Sequence, residues 1–96
     1  MFLKECWMIE IAFSSSFKRA FKKSVAGNAS VETRFWERVE LFKSNPFDPK
    51  LRTHKLSGKL KDLWSFSIEY DLRVIFSFAG QERIIFVDIG SHKEVY

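Results

Sequence analysis

Asp71, Arg73, His92 and Tyr96 frame a hydrophobic strand pair, Leu72 to Phe78 and Ile84 to Ile89, in the last quarter of this 96-residue chain. Cleaving RNA by attack of its own 2′-OH needs a base for the hydroxyl proton, a cation for the phosphorane charge and an acid for the departing 5′ oxygen. His54, Asp71, Arg73 and His92 are side chains of those types, and Tyr96 offers a ring on which a base can stack. Each has a plainer role open to it. Asp71 suits a tight turn, Arg73 could pair with Glu69 or Asp71 across that turn, and His54 could contact a phosphate or serve the fold alone. Tyr96 could fray at a free terminus. His92 is harder to explain away, because a polar tail after the last core strand makes no packing demand for an imidazole, which titrates where proton transfer is useful.

Other chemical signatures are absent. There is no glycine-rich phosphate loop, paired CxxC, HExxH or GxSxG elbow, and the two histidines are far apart in sequence with no cysteine near either. No metal and no nucleotide cofactor is expected. The charge balance is 16 basic against 12 acidic residues, net +4, and it is clustered. Lys18, Arg19, Lys22 and Lys23 fall within six residues, and Lys50, Arg52, Lys55, Lys59 and Lys61 fall within twelve that hold no acid. Polyanions such as RNA are the partners such patches suit; solvated faces of a small protein are the alternative.

The elements that must position these residues form one small α+β domain spanning 1–96. A 46% hydrophobic and 17% aromatic composition, with eleven Phe, suffices for a packed core. Ile9, Ile11 and Phe13 alternate with Glu10 and Ala12, which predicts a strand over Met8–Phe13. The hydroxyls of Ser14 to Ser16 predict the cap of a helix from about Phe17 to Val25, closed by Gly27 and Asn28. A second helix, capped near Ser30 or Val31, runs to about Lys43 and is stopped by Asn45-Pro46, giving a helical hairpin. Phe47 to Lys61 reads as a loop with a short ordered piece at His54 to Leu56. Strands Leu63–Glu69, Leu72–Phe78 and Ile84–Ile89 then make an antiparallel meander, for the order β-α-α-β-β-β.

The single Cys6 forms no internal disulfide, Met1 to Trp7 is too short and polar for a signal segment, and no apolar run approaches the roughly 18 residues of a membrane span. A cytoplasmic protein without a membrane partner is the expectation. The strand pattern begins at Met8, so residues 1–7 read as an upstream extension, and Met1 and Met8 both stand as starts.

His54-Lys-Leu-Ser-Gly58, Ile68-Glu69-Tyr70-Asp71-Leu72-Arg73-Val74-Ile75-Phe76 and Asp88-Ile89-Gly90-Ser91-His92-Lys93-Glu94-Val95-Tyr96 resemble the RelE/ParE superfamily of bacterial toxins. The nearest branch is the YafQ group of ribosome-dependent mRNA endonucleases, and the resemblance follows the family order of elements from Met8 to Tyr96. It implies a RelE-like fold, with Asp71 and His92 in proton transfer and His54 as the loop histidine. Arg73 would stabilise the scissile phosphate, and Tyr96 would be the terminal aromatic that positions a base. Ser67 stands where the YafQ pattern carries a further histidine, so the division of acid and base roles stays open.

The resemblance further implies the toxin of a type II toxin-antitoxin pair that cuts mRNA on the ribosome and is silenced by an acidic antitoxin in a hetero-oligomer. The lysine patches would dock it on ribosomal RNA. Two alternatives remain: a ParE-like poison of DNA gyrase, which needs no acid-base set, and a non-catalytic relative that only binds antitoxin or RNA.

Overall fold

The computed structural model describes residues 9–58 and 62–91. β1 (Glu10–Phe13) has the expected alternation, with Ile11 and Phe13 half-buried and Glu10 and Ala12 exposed. At its end Ser14 caps α1 (Ser15–Ser24): its Oγ accepts from the Phe17 amide at 3.0 Å and donates to the Val87 carbonyl at 3.3 Å. The helix buries Phe17 and exposes Lys18, Arg19, Lys22 and Lys23.

Gly27 adopts φ +94°, a conformation that favours glycine, and breaks the chain out of α1. Asn28 follows at once as the cap of α2 (Ala29–Ser44), its Oδ1 accepting from the Val31 amide at 3.3 Å. The cap therefore lies earlier than Ser30. The connection is so short that the residue read as closing the first helix opens the second. α2 buries Phe35, Val39 and Phe42 and stops at Asn45, ahead of Pro46. The two helices meet through Phe21 and Phe35, whose rings lie edge to face with centroids 5.0 Å apart.

The expected loop from Phe47 holds more order than its composition suggested. A 3-10 turn, Pro49–Leu51, buries Leu51 and ends at Arg52, and a two-residue strand, β2 (His54–Lys55), follows. β3 (Trp64–Glu69), β4 (Leu72–Phe78) and β5 (Arg83–Gly90) form the meander, and the sheet runs β1-β5-β4-β3-β2 with β1 parallel to β5. The architecture is the α+β arrangement expected, with one short edge strand added.

Helices cover one face of this sheet. Phe42 of α2 is fully buried there and stacks on Phe66 at 4.5 Å, with Phe76 at 5.0 Å and Phe86 at 5.9 Å. The rung Phe66–Val74–Ile89 belongs to this core. Side chains alternate along a strand, so the flanking rungs, His54–Ser65–Ile75–Asp88 and Ser67–Arg73–Gly90, present theirs on the opposite face. Among the described residues no helix is long and apolar enough to cross a membrane.

Candidate functional site

β2 is only two residues long and pairs with Trp64 and Ser65, so past Ser65 the outer edge of β3 has no strand partner among the described residues. α2 and the 3-10 turn both pack against β3, and an open cleft of about 300 Å³ lies beside its C-terminal half. Arg34 and Arg38 contribute from α2, Lys50 and Arg52 from the turn, and Arg73 from β4. Glu69 is the one carboxylate in its lining among the described residues. Five cations on concave walls, with one opposing charge, attract a polyanion strongly.

Local structure explains the gathering. Asp48 caps the 3-10 turn, its Oδ1 accepting from the Lys50 amide at 2.9 Å, and Arg52 ends it at φ 53°. Arg52 is the one non-glycine with positive φ among the described residues. That left-handed step redirects the chain into β2 and leaves Lys50 and Arg52 at the cleft. Arg38 Nη1 donates to the Lys50 carbonyl at 3.4 Å, tying the turn to the helix, while Arg34 pairs with Glu37 at 3.5 Å on the exposed side.

Arg73 is half-buried. Its Nη1 donates to Ser67 Oγ at 3.0 Å, and its Nε is buried without a hydrogen-bond partner among the described residues. Ser67 is buried beside it, in the same rung. A guanidinium carries five N–H donors in a planar fork that matches a phosphate. Here the described residues occupy one of them.

His54 is exposed, and its Nδ1 lies 3.0 Å from the Arg52 carbonyl. A carbonyl can only accept, so Nδ1 donates in this contact, and in the neutral imidazole Nε2 is then the ring's acceptor. His54 shares the outer face with Arg73 but does not line the cleft; strand spacing puts their Cα atoms about 12 Å apart. Asp71 is exposed on the two-residue turn between Glu69 and Leu72, also outside the cleft lining. Lys18, Arg19, Lys22 and Lys23 are on α1, which packs against β5 rather than β3, and Lys55 is exposed opposite Trp64. His92, Tyr96, Lys59 and Lys61 lie outside the described residues.

Of the residues singled out from sequence, the cleft thus unites Lys50, Arg52 and Arg73. Arg34 and Arg38, which carry no motif, also line it, as does Tyr70, which lies in the quoted turn stretch without a role there. The signal for the first two was their four-residue spacing, which sets them on one helical face. Among the described residues no three His, Cys, Asp or Glu side chains group as metal ligands.

Residues 9–96 match the family model described as bacterial toxin of type II toxin-antitoxin system, YafQ. No curated protein matches. A metal-bound toxin from Helicobacter pylori is 28% identical, with 93% of this chain and 100% of that one covered at a TM-score of 0.72. A YoeB/ParE toxin from Agrobacterium tumefaciens shares the fold at 17% identity, 86% and 98% coverage and a TM-score of 0.73. YafQ from E. coli shares it at 13% identity, 93% and 99% coverage and a TM-score of 0.68.

Proposed function

Because the chain belongs to the YafQ family of toxins from bacterial type II toxin-antitoxin systems, we propose that it acts in the cytoplasm as a ribosome-dependent endonuclease on mRNA. The observation that carries this reading is the cationic cleft around Arg73, a guanidinium with one described acceptor, Ser67, for its five donors. Arg73 would hold the scissile phosphate and offset the charge of the phosphorane, while Lys50 and Arg52 bind the flanking backbone. The 2′-OH attacks the adjacent phosphorus, the bond to the 5′ oxygen breaks, and a proton passes from the hydroxyl to the leaving oxygen through protein groups.

His54, Asp71 and His92 are the candidates for those transfers. The lone pair on His54 Nε2 suits a base. His92 follows Gly90 by two residues, and Gly90 pairs with Arg73, which supports a role near the phosphate. Tyr96 is the proposed terminal aromatic. An open cleft beside a sheet edge does not align an RNA for in-line attack, which supports the ribosome as the holder of the substrate.

The family implies a cognate antitoxin partner. Phe13, Phe17, Phe21, Phe35 and Trp36 line an apolar hollow of about 190 Å³ with Lys18 at its margin, and this surface suits an acidic antitoxin helix. Purified protein added to translating ribosomes, with cut sites mapped by primer extension, tests the nuclease. Cleavage by the wild type that drops about 10²- to 10⁴-fold in His92→Ala supports it; growth arrest with no cut in any message would leave the toxin and remove the nuclease.

A further inference from the structure

Tyr70 is 97% exposed, and it lines the cationic cleft. The fold gives no reason for an aromatic there. Among the other exposed large hydrophobic residues, Phe47 and Phe78 both pack edge to face on Trp64, at 5.6 and 5.5 Å, and Trp36 packs on Phe35 at 4.8 Å. Tyr70 has no ring partner among the described residues. It occupies the first place of a two-residue hairpin loop, where Gly, Asn, Asp or Pro serve the turn, and neither loop residue has a positive φ. The adjacent shift in pairing between Ser67 and Glu69 is a bulge, a device that re-aims side chains near sites.

Taking the proposed RNA substrate as given, we infer that Tyr70 is a stacking platform for an unpaired base of the strand whose phosphates occupy the cleft. The composition of the cleft selects single-stranded RNA. Cations on α2, the 3-10 turn and β4 meet a backbone, and the Tyr70 ring at the lip meets a base, the combination by which strands are held without base pairing. Stacking tolerates any base, so this contact positions the strand and carries little sequence preference. It is a further base contact beside the one assigned to Tyr96, and its residue lies on the hairpin turn rather than the tail.

The test measures binding, not cutting. A fluorescein-labelled 2′-O-methyl dodecamer of mixed sequence, which cannot be cleaved, is titrated with the full chain across a salt series, alongside an abasic oligonucleotide of the same length. Tyr70→Ala should weaken binding of the dodecamer about 5- to 150-fold and leave the abasic strand unchanged, with Tyr70→Trp retaining wild-type affinity. Its salt slope should match the wild type, whereas Arg38→Ala lowers that slope by about 0.7. Equal affinities of Tyr70→Ala and wild type, an equal loss on the abasic strand, or no binding of the dodecamer by wild type at low salt would each overturn the inference. A chain that fails to cut on ribosomes but shows the base-dependent loss refutes the nuclease and keeps the contact.

Discussion

Arg73 Nη1 lies 3.0 Å from Ser67 Oγ, across one rung of the β3–β4 pair and at the cleft that collects four further cations. The serine fixes one end of the guanidinium, and the buried Nε has no hydrogen-bond partner among the described residues.

That arrangement separates two substitutions. Arg73→Ala should lower cleavage of ribosome-bound mRNA by about 10²- to 10³-fold, and Arg73→Lys should not restore it, since an ammonium cannot make the forked contact. Ser67→Ala removes one hydrogen bond worth about 1 kcal/mol and should reduce activity far less. Single-turnover cleavage on programmed ribosomes, with circular dichroism to verify folding, reads both. Equal losses in Arg73→Ala and Ser67→Ala would mean that the arginine matters only through its serine.

The start of α2 gives a sharper stability comparison. Asn28→Ala removes the side-chain oxygen that accepts from the Val31 amide and should cost about 1 kcal/mol in urea denaturation. Ser30→Ala, at the place the sequence favoured for the cap, should change stability by less than about 0.5 kcal/mol. The reverse order would place the helix start two residues later.

Asn28 also illustrates where the sequence was legible. Alternation at Ile9, Ile11 and Phe13, and Asn45-Pro46 after a periodic stretch, are local signals, and β1 and the end of α2 follow them. β2 falls on the short ordered piece expected at His54 to Leu56, but two polar, basic residues carry no strand alternation of their own, and pairing with β3 is what makes the piece a strand. Arg34 and Arg38 lie outside both basic clusters and every motif of the sequence. Only the packing of α2 against an edge that β2 leaves open turns their helical face into a cleft wall. Asp71 and Arg73, two residues apart in sequence, occupy a turn and a strand rung, so sequence proximity did not put both in the cleft lining.

Phe42 holds the helix layer to the sheet. Fully buried and in ring contact with Phe66, Phe76 and Phe86, it should cost about 3–5 kcal/mol when replaced by Ala, a large share of the 5–15 kcal/mol typical of a domain. Chemical denaturation should therefore show Phe42→Ala folded with a much lower midpoint than wild type. Trp36→Ala, at an exposed position on the same helix, should cost much less. A loss under about 1 kcal/mol for Phe42→Ala would contradict its central packing.

Arg52 couples stability to charge. It adopts φ 53°, a left-handed conformation that costs a side-chain-bearing residue roughly 1 kcal/mol, and its cation lines the cleft. Arg52→Gly removes the steric cost and adds chain entropy to the unfolded state, so the two effects nearly cancel. Arg52→Ala keeps the steric cost. Thermal denaturation should therefore find the glycine variant at least as stable as the alanine one, whereas both should bind the non-cleavable RNA with the same reduced salt slope, lower by about 0.7 than wild type. An alanine variant more stable than the glycine variant would show that the backbone at this position relaxes out of the left-handed region once the arginine is gone. A salt slope unchanged in both would remove Arg52 from the phosphate-binding wall.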